Sequence, residues 1–334
     1  MSAADSLSAF DALRGIVALP DSAPTVAEPH EEPHAHASEH FDKISLPGKL
    51  AYLTAIILPF LGLIAAVVFS WGWGFSWTWG VMLVVGYLLT AVGVTVGYHR
   101  LFTHKAFKAG PVVTGVLAFL GSTAVEGAVT KWAAVHRAHH KHSDDEADPH
   151  SPHLHGTGAL NAFRGFVHAH MGWLIRGDPK HLDRYNPDLR ADPLINFMGK
   201  TWGVWAILGL IIPAVIGGLI TMTWGGVLLG FLWGGLARVF LVHHITWSIN
   251  SVCHVWGTRP FRSHDESRNN FIFGVLGLGE GWHNNHHAFP TSARHGLRWW
   301  EFDASYLIIR GLEKLGLAWD VKVPDAQRLA AKAR

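Results

Sequence analysis

Three histidine groups hold most of the chemistry this chain can offer: His99-Arg-Leu-Phe-Thr-His104, His136-Arg-Ala-His139-His140 and His283-Asn-Asn-His286-His287. On a helix, positions i, i+3 and i+4 share one face, so His136, His139 and His140 can converge on a point, as can His283, His286 and His287. His99 and His104 are five apart, about 140° around an ideal helix, and can cooperate only at a helix end or across a bend. One such box alone is as often an ordinary polar face as a site. Three together are different. Their eight imidazoles exceed what one ion with roughly four to six ligands can use, so a pair of ions is the economical inference. Imidazole suits Zn, Cu, Fe and Ni alike. The single cysteine, Cys253, excludes an internal disulfide and a thiolate-rich cluster.

The boxes must be held by elements of an apolar chain. Of 334 residues, 49% are hydrophobic and 16% charged, too few ionic groups for an ordinary soluble protein. The net charge of +2 gives no case for nucleic acid as a partner. The 24 histidines nearly equal the 25 carboxylates, which neither core packing nor surface solvation requires. Four stretches, about Leu50 to Ser70, Trp77 to Gly97, Trp202 to Met222 and Gly225 to Thr246, approach the roughly 20 residues of a spanning helix. Short turns, Trp71 to Ser76 and around Thr223-Trp224, join them into two hairpins. The expected fold is therefore an all-α integral membrane protein with four transmembrane helices.

Neither turn carries Lys or Arg, so the positive-inside rule assigns the tail, the segment from Tyr98 to Thr201 and everything after Trp247 to the cytosol. Both termini and all three boxes then share that side. Trp71, Trp73, Trp77, Trp79 and Trp224 are expected in the outer headgroup layer. A fifth apolar run, Pro111 to Val129, is expected to lie at the interface or within the protein, because an odd number of spans would divide the boxes. Leu154 to Leu182 and Trp299 to Arg334 look helical. Residues 1–45, rich in Ala, Pro, Glu and His, form an expected disordered tail without a secretory signal, its histidines, His36 among them, functionally silent. The membrane domain is assigned to 46–323 and a C-terminal tail to 324–334.

At this point the residues resemble the membrane-bound fatty acyl desaturases, in particular the stearoyl-CoA (Δ9) branch. The matching text is Gly97-Tyr98-His99 through His104, Trp132 through Lys141 with Asp148-Pro149-His150, Thr246-Trp247 through Asn250, His254 and Arg259-Pro260, and Gly279 through Pro290. The likeness runs from the first span to about Val323. It implies a mushroom-like helical fold, with four spans under a cytosolic cap that holds two Fe2+ ions. It implies nine histidine ligands, His99, His104, His136, His139, His140, His254, His283, His286 and His287, with Asn250 reaching one iron through a water. The activity implied is O2-dependent insertion of a cis double bond into a long saturated acyl chain carried on CoA or a lipid. Two departures stand out: Asn285 replaces a tyrosine common in that branch, and His142 replaces a bulky apolar residue.

The residues themselves support part of this. Asn250 and His254 are four apart and can share a helix face, although a lone histidine is about twice as often a satisfied polar residue as a ligand. His243 and His244 are assigned lining or interfacial roles. His150, His153, His155, His168, His170, His181, His264 and His295 are assigned to the surface or to support of the ligands. Arg238, in apolar sequence, should pair or snorkel. Asp144, Asp145, Glu146, Asp148 and Glu280 are candidates to orient ring N–H groups. Trp132 and Trp247 are plausible tunnel walls, with ordinary packing equally plausible. Lys131, Arg137, Lys141, Arg259 and Arg268 could meet the phosphates of an acyl carrier or anionic lipid.

An inert methylene has neither an acidic proton nor an electrophilic carbon, so it needs a redox metal with O2 rather than acid–base or nucleophilic side chains. No His-Pro-Gly-Gly segment of a fused cytochrome b5 is present, so electrons are expected from a separate reductase, ferredoxin or cytochrome b5. The membrane would be the cell membrane in a bacterium or the endoplasmic reticulum in a eukaryote. Rival readings are a related membrane hydroxylase or ketolase, a metal transporter and a haem protein. The spans lack the mid-membrane ionisable ligands of a transporter, and a haem needs only paired histidines.

Overall fold

The computed structural model describes residues 41–73 and 76–334, with only the backbone at 72 and 73. Residues 1–40 of the expected tail, including His36, lie outside the described residues, as does the side chain of Trp73. Four helices are long and apolar enough to cross a membrane: α1 (Leu46–Trp73), α2 (Trp77–Thr103), α5 (Trp202–Thr221) and α6 (Trp224–His254). Between the hairpins lie shorter helices, the two longest being α3 (Pro111–Ser122) and α4 (Val129–His142). With 12 residues, α3 is about 18 Å long and cannot cross. After α6 come α7 (His283–Ala288), α8 (Ala304–Lys314) and α9 (Ala326–Lys332). The expected helical stretch beginning at Leu154 contains helical segments only between Ala159 and Arg176.

The spans turn apolar side chains outward. Ile57, Leu61, Val81, Leu88, Ile211 and Leu219 are exposed, as a lipid-facing surface requires where no water can satisfy polar groups. Small residues let α5 and α6 touch. A Cβ on Gly217 would stand 2.2 Å from the Gly226 carbonyl oxygen, so only glycine permits this approach. Arg238 neither pairs with a carboxylate nor snorkels. Buried, it donates to Gly234 O, Thr90 Oγ1, Thr123 O and Gly209 O at 2.6–3.0 Å, tying α2, α5 and α6 to the residue that follows α3. Trp71, Trp77 and Trp224 are exposed at the span ends, but Trp79 is buried among the helices, which corrects its expected headgroup position.

Two spans run well past their expected ends, α2 to Thr103 instead of Gly97 and α6 to His254 instead of Thr246. Both therefore enter the cap, whose core includes Tyr98, Phe102, Ala133, Ile195 and Met198. Both expected tails contribute structure. Phe41–Asp42 (β1) pairs antiparallel with Asp178–Pro179 (β3), while Lys108–Ala109 (β2) pairs with Ala318–Trp319 (β4). Beyond α9, Arg334 N donates to Pro260 O at 3.0 Å, so the boundary assigned at 323 does not mark where the packed chain ends.

Candidate metal centre

The five-residue spacing of His99 and His104 is resolved by the winding of α2. From Gly93 to Thr103 its turns are π-helical, and His104 N donates to His99 O at 3.1 Å. Wider turns bring residues five apart onto one side, and the two ring centroids are 4.8 Å apart. On α4 and α7 the boxes divide between two points. His99, His104, His136, His140 and His286 each bring a ring nitrogen within 4.8 Å of the others, and His139, His254, His283 and His287 do the same at a second point. The i, i+4 pair of each HxxHH box goes to one cluster and the middle histidine to the other. All nine histidines named from the sequence are thus in one cluster or the other.

The donor chemistry fits a cation at each point. His99 Nδ1 lies 2.5 Å from Glu280, His254 Nδ1 2.9 Å from Asp144, His139 Nδ1 3.0 Å from Asp148, and His287 Nδ1 2.5 Å from Asp265. A carboxylate only accepts, so each Nδ1 carries the hydrogen and each Nε2 turns a lone pair inward. Nε2 atoms meet Nε2 atoms at 3.1 Å for His99–His286, His136–His140 and His254–His283, and at 2.8 Å for His140–His286. Nitrogens about 2.1 Å from a shared ion and at right angles stand about 3 Å apart. Nε2 of His104, His139 and His287 are buried without a hydrogen-bond partner among the described residues. Burial, reinforced by neighbouring imidazoles, holds His104, His136, His140, His283 and His286 well below the usual histidine pKa, so they are neutral and able to ligate.

Charge is divided unequally. Three carboxylates support the four-histidine cluster. Burial would raise Asp144, Asp148 and Asp265, but the adjoining imidazoles and hydrogen bonds hold each well below the carboxylate range. Among the described residues the five-histidine cluster has only Glu280, which is shared with buried Arg100 at 3.1 Å. Of the five carboxylates suggested by the sequence, Asp144, Asp148 and Glu280 reach a clustered ring, whereas Asp145 pairs with His142 near the surface and Glu146 reaches no clustered ring. Asp265 was missed because it belongs to no box and lies 22 residues from His287. His150 and His295, assigned to the surface or a supporting role, are buried with rings 4.3 Å from His139 and 4.5 Å from His286. Asn285 donates to Glu301 at 2.7 Å and His295 O at 2.8 Å and accepts from Asn269 at 2.7 Å. It braces α7 where the related branch often has tyrosine.

A cavity of about 710 Å3 reaches both clusters, touching His99, His136 and His283, and is of a size that suits a small-molecule ligand. Gly48, Ala51 and Ala55, small residues of α1 at helical spacing, line it together with Tyr52, Trp132, Trp247 and Asn250. Trp132 stacks on His136 with centroids 5.1 Å apart. Arg137, Lys141, Arg259 and Arg268 do not line this cavity. Arg137 is spent on Asp188 and the carbonyls of Phe102, Thr103 and Tyr185, while Arg259 and Arg268 both pair with Glu266. Lys131, at the cavity wall, donates to Tyr52 at 2.7 Å and Asp178 at 2.6 Å.

Glu126 also faces this cavity and accepts from Trp132 Nε1 at 3.0 Å. Burial pushes its carboxyl up to about 7, against hydrogen bonds from Trp132 and Thr246 that lower it. The folded form thus holds a proton that the unfolded chain has lost, and stability falls as pH rises from the ordinary value of 4.5 toward about 7. Glu126→Gln should therefore match the wild type in thermal unfolding at pH 4 and melt higher at pH 8. An equal melting temperature at pH 8 would show that the buried carboxyl carries no such penalty.

Comparison with known proteins gives a consistent picture. The family model described as fatty acid desaturase matches residues 78–321. A hex-5-enoyl-(acyl-carrier protein) acetylenase of Moorena producens (strain JHB) is 43% identical, over 84% of this chain and 88% of its own. An icosanoyl-CoA 5-desaturase of Limnanthes douglasii is 36% identical, over 84% and 74%. An sn-1 stearoyl-lipid 9-desaturase of Anabaena variabilis is 38% identical, over 78% and 88%.

Proposed function

The chain belongs to the fatty acid desaturase family, oxidoreductases acting on fatty acyl substrates, and from that premise we propose that it inserts a cis double bond at C9 of a long saturated chain carried on CoA. The observation that carries the reading is a single apolar cavity touching both imidazole clusters. The family uses iron, and here we assign two Fe2+ ions, one to each cluster, with Asn250 of the cavity wall reaching one of them through a water. Bound iron supplies the oxidising power, with O2, to take hydrogen from unactivated methylenes. In the overall balance O2, two electrons, two protons and the two hydrogens of adjacent carbons give the alkene and two waters. The electrons come from a separate reduced protein, a reductase, ferredoxin or cytochrome b5.

The chain's own residues bind and orient. The cavity walls exclude water and hold the acyl chain extended past His99, His136 and His283. Trp132, fixed by Glu126 and stacked on His136, limits how the chain can bend beside the clusters. Asp144, Asp148, Asp265 and Glu280 keep hydrogens on the outer ring nitrogens, so the inner ones stay available. Lys43, lining the cavity with Ile44 and Ser45, is placed for carrier phosphates, whereas Lys131 is held by Asp178 and Tyr52. The cap, with both termini, is assigned to the cytosol.

A second reading of the carrier, a membrane glycerolipid, is favoured by the share of the wall that α1 provides from Gly48 to Ile56, within a spanning helix. Iron-loaded protein with a reduced donor is given stearoyl-CoA, then stearoyl lipid in vesicles. A product two hydrogens lighter with the double bond at C9 is expected from the CoA ester. A product heavier by one oxygen would replace the reading with hydroxylation, and turnover of the vesicle lipid alone would move the carrier to the glycerolipid.

A further inference from the structure

The loop after α4 carries more imidazole than the two clusters use. A second cavity, about 500 Å3, is lined by Glu146, His153, His155, His168 and Arg176. There His155 and His168 face each other with ring centroids 5.2 Å apart. Their hydrogens can be deduced. His168 bonds the Pro149 carbonyl, and His153 Nε2 lies 3.0 Å from the His254 carbonyl oxygen. Carbonyls only accept, so both rings spend their N–H outward and present the other nitrogen as a lone pair. His168 Nε2 and His155 Nδ1 are buried without a hydrogen-bond partner among the described residues.

A fixed lone pair on His168 beside the unpartnered ring nitrogen of His155 favours a cation. An anion such as phosphate would need these nitrogens protonated, and burial, followed by the nearby Arg176, pushes the His168 pKa down to about 4. The Arg176 guanidinium lies 4.3 Å above the Phe41 ring, and Glu146 brings a compensating negative charge. We propose that this cavity is a metal site separate from the two clusters, binding a divalent cation such as Zn2+ or Co2+ through His155 Nδ1 and His168 Nε2. Water completes its shell, and Glu146 and His153 on the same cavity wall act on the ion from further out. Imidazole and carboxylate together suit such borderline ions. The loop that the ion braces also carries Asp144 and Asp148, which hold His254 and His139.

The test uses full-length protein purified with its iron, dialysed in phosphate-free buffer against micromolar Co2+ and, separately, Zn2+. Bound metal, iron and the Co2+ absorption band are measured in the same samples. One equivalent beyond the iron is expected in the wild type. In His155→Ala/His168→Ala its affinity should fall at least tenfold with iron unchanged, and in Glu146→Gln, changed at an exposed position, it should fall several-fold. Because the variants keep the histidines of residues 1–40, binding there cancels from the comparison. Undiminished uptake in both variants, no uptake beyond the iron at micromolar metal, or inorganic phosphate retained by the wild type in place of metal would overturn the proposal. Iron content and turnover are read independently, so failure here leaves the desaturase reading untouched.

Discussion

Alanine at His286 or at His139 is expected to abolish turnover and to lower bound iron from about two per chain to about one. The two variants remove a ring from different clusters, His286 from the group of five and His139 from the group of four, so each should spare the other ion. Iron analysis of the purified variants, with turnover on the acyl substrate, checks both. Each cluster takes residues from both α4 and α7, and losing one imidazole still leaves buried ring nitrogens facing one another at 3.1 Å, His136 and His140 in the first variant and His254 and His283 in the second, with a weakened hold on any ion between them. Full activity in His286→Ala would remove the five-histidine cluster from the mechanism. Loss of both irons from either variant would mean that the clusters bind cooperatively.

Substituting a supporting carboxylate should separate metal affinity from the ligand count. Asp265→Asn keeps the size of the side chain but replaces the charged acceptor at His287 Nδ1, 2.5 Å away, with a neutral amide oxygen, and so weakens the hold that fixes the ring hydrogen outside. A loss of about 10- to 100-fold in iron affinity or activity is expected, read by chelator competition, with His287 still present. Asp144→Asn should act the same way through His254. Glu280→Gln should do more, since it also breaks one of the two ion pairs of buried Arg100 and leaves it Asp303 alone, and breaking a buried ion pair is destabilising. A melting temperature lowered by Glu280→Gln but not by Asp265→Asn would separate the two roles. Unchanged iron affinity in Asp265→Asn would deny it any hold on the cluster.

Much of the architecture was legible because its rules are local. A run of apolar residues without charges has few places to go, and the spacings within HxxHH convert directly into directions around a helix. The sequence also resembled its family in text long enough to name His254, which no spacing rule would have selected. What escaped was set by partners distant in the chain. The charge of Arg137 suggested a free phosphate binder, but Asp188, 51 residues away, and three carbonyls consume it. Asp265 carries no pattern pointing to His287. His99 and His104 seemed badly spaced because an ideal helix was assumed, whereas the α2 winding changes its hydrogen-bond period just where the two rings must meet. Phe41 and Asp42 read as tail because two residues are too few to show a strand period.

The extension of α2 and α6 beyond the bilayer-length stretches puts His99 and His254 on the same helices that are long and apolar enough to cross a membrane, with His104 directly after α2. On the proposed reading, the spans therefore set the height of the two clusters above the lipid through these residues. For a chain threaded down the cavity, carbon number becomes a distance measured from that datum. Lengthening the substrate at its methyl end should leave the reacting pair where it is, whereas adding bulk at the carboxyl end should move it.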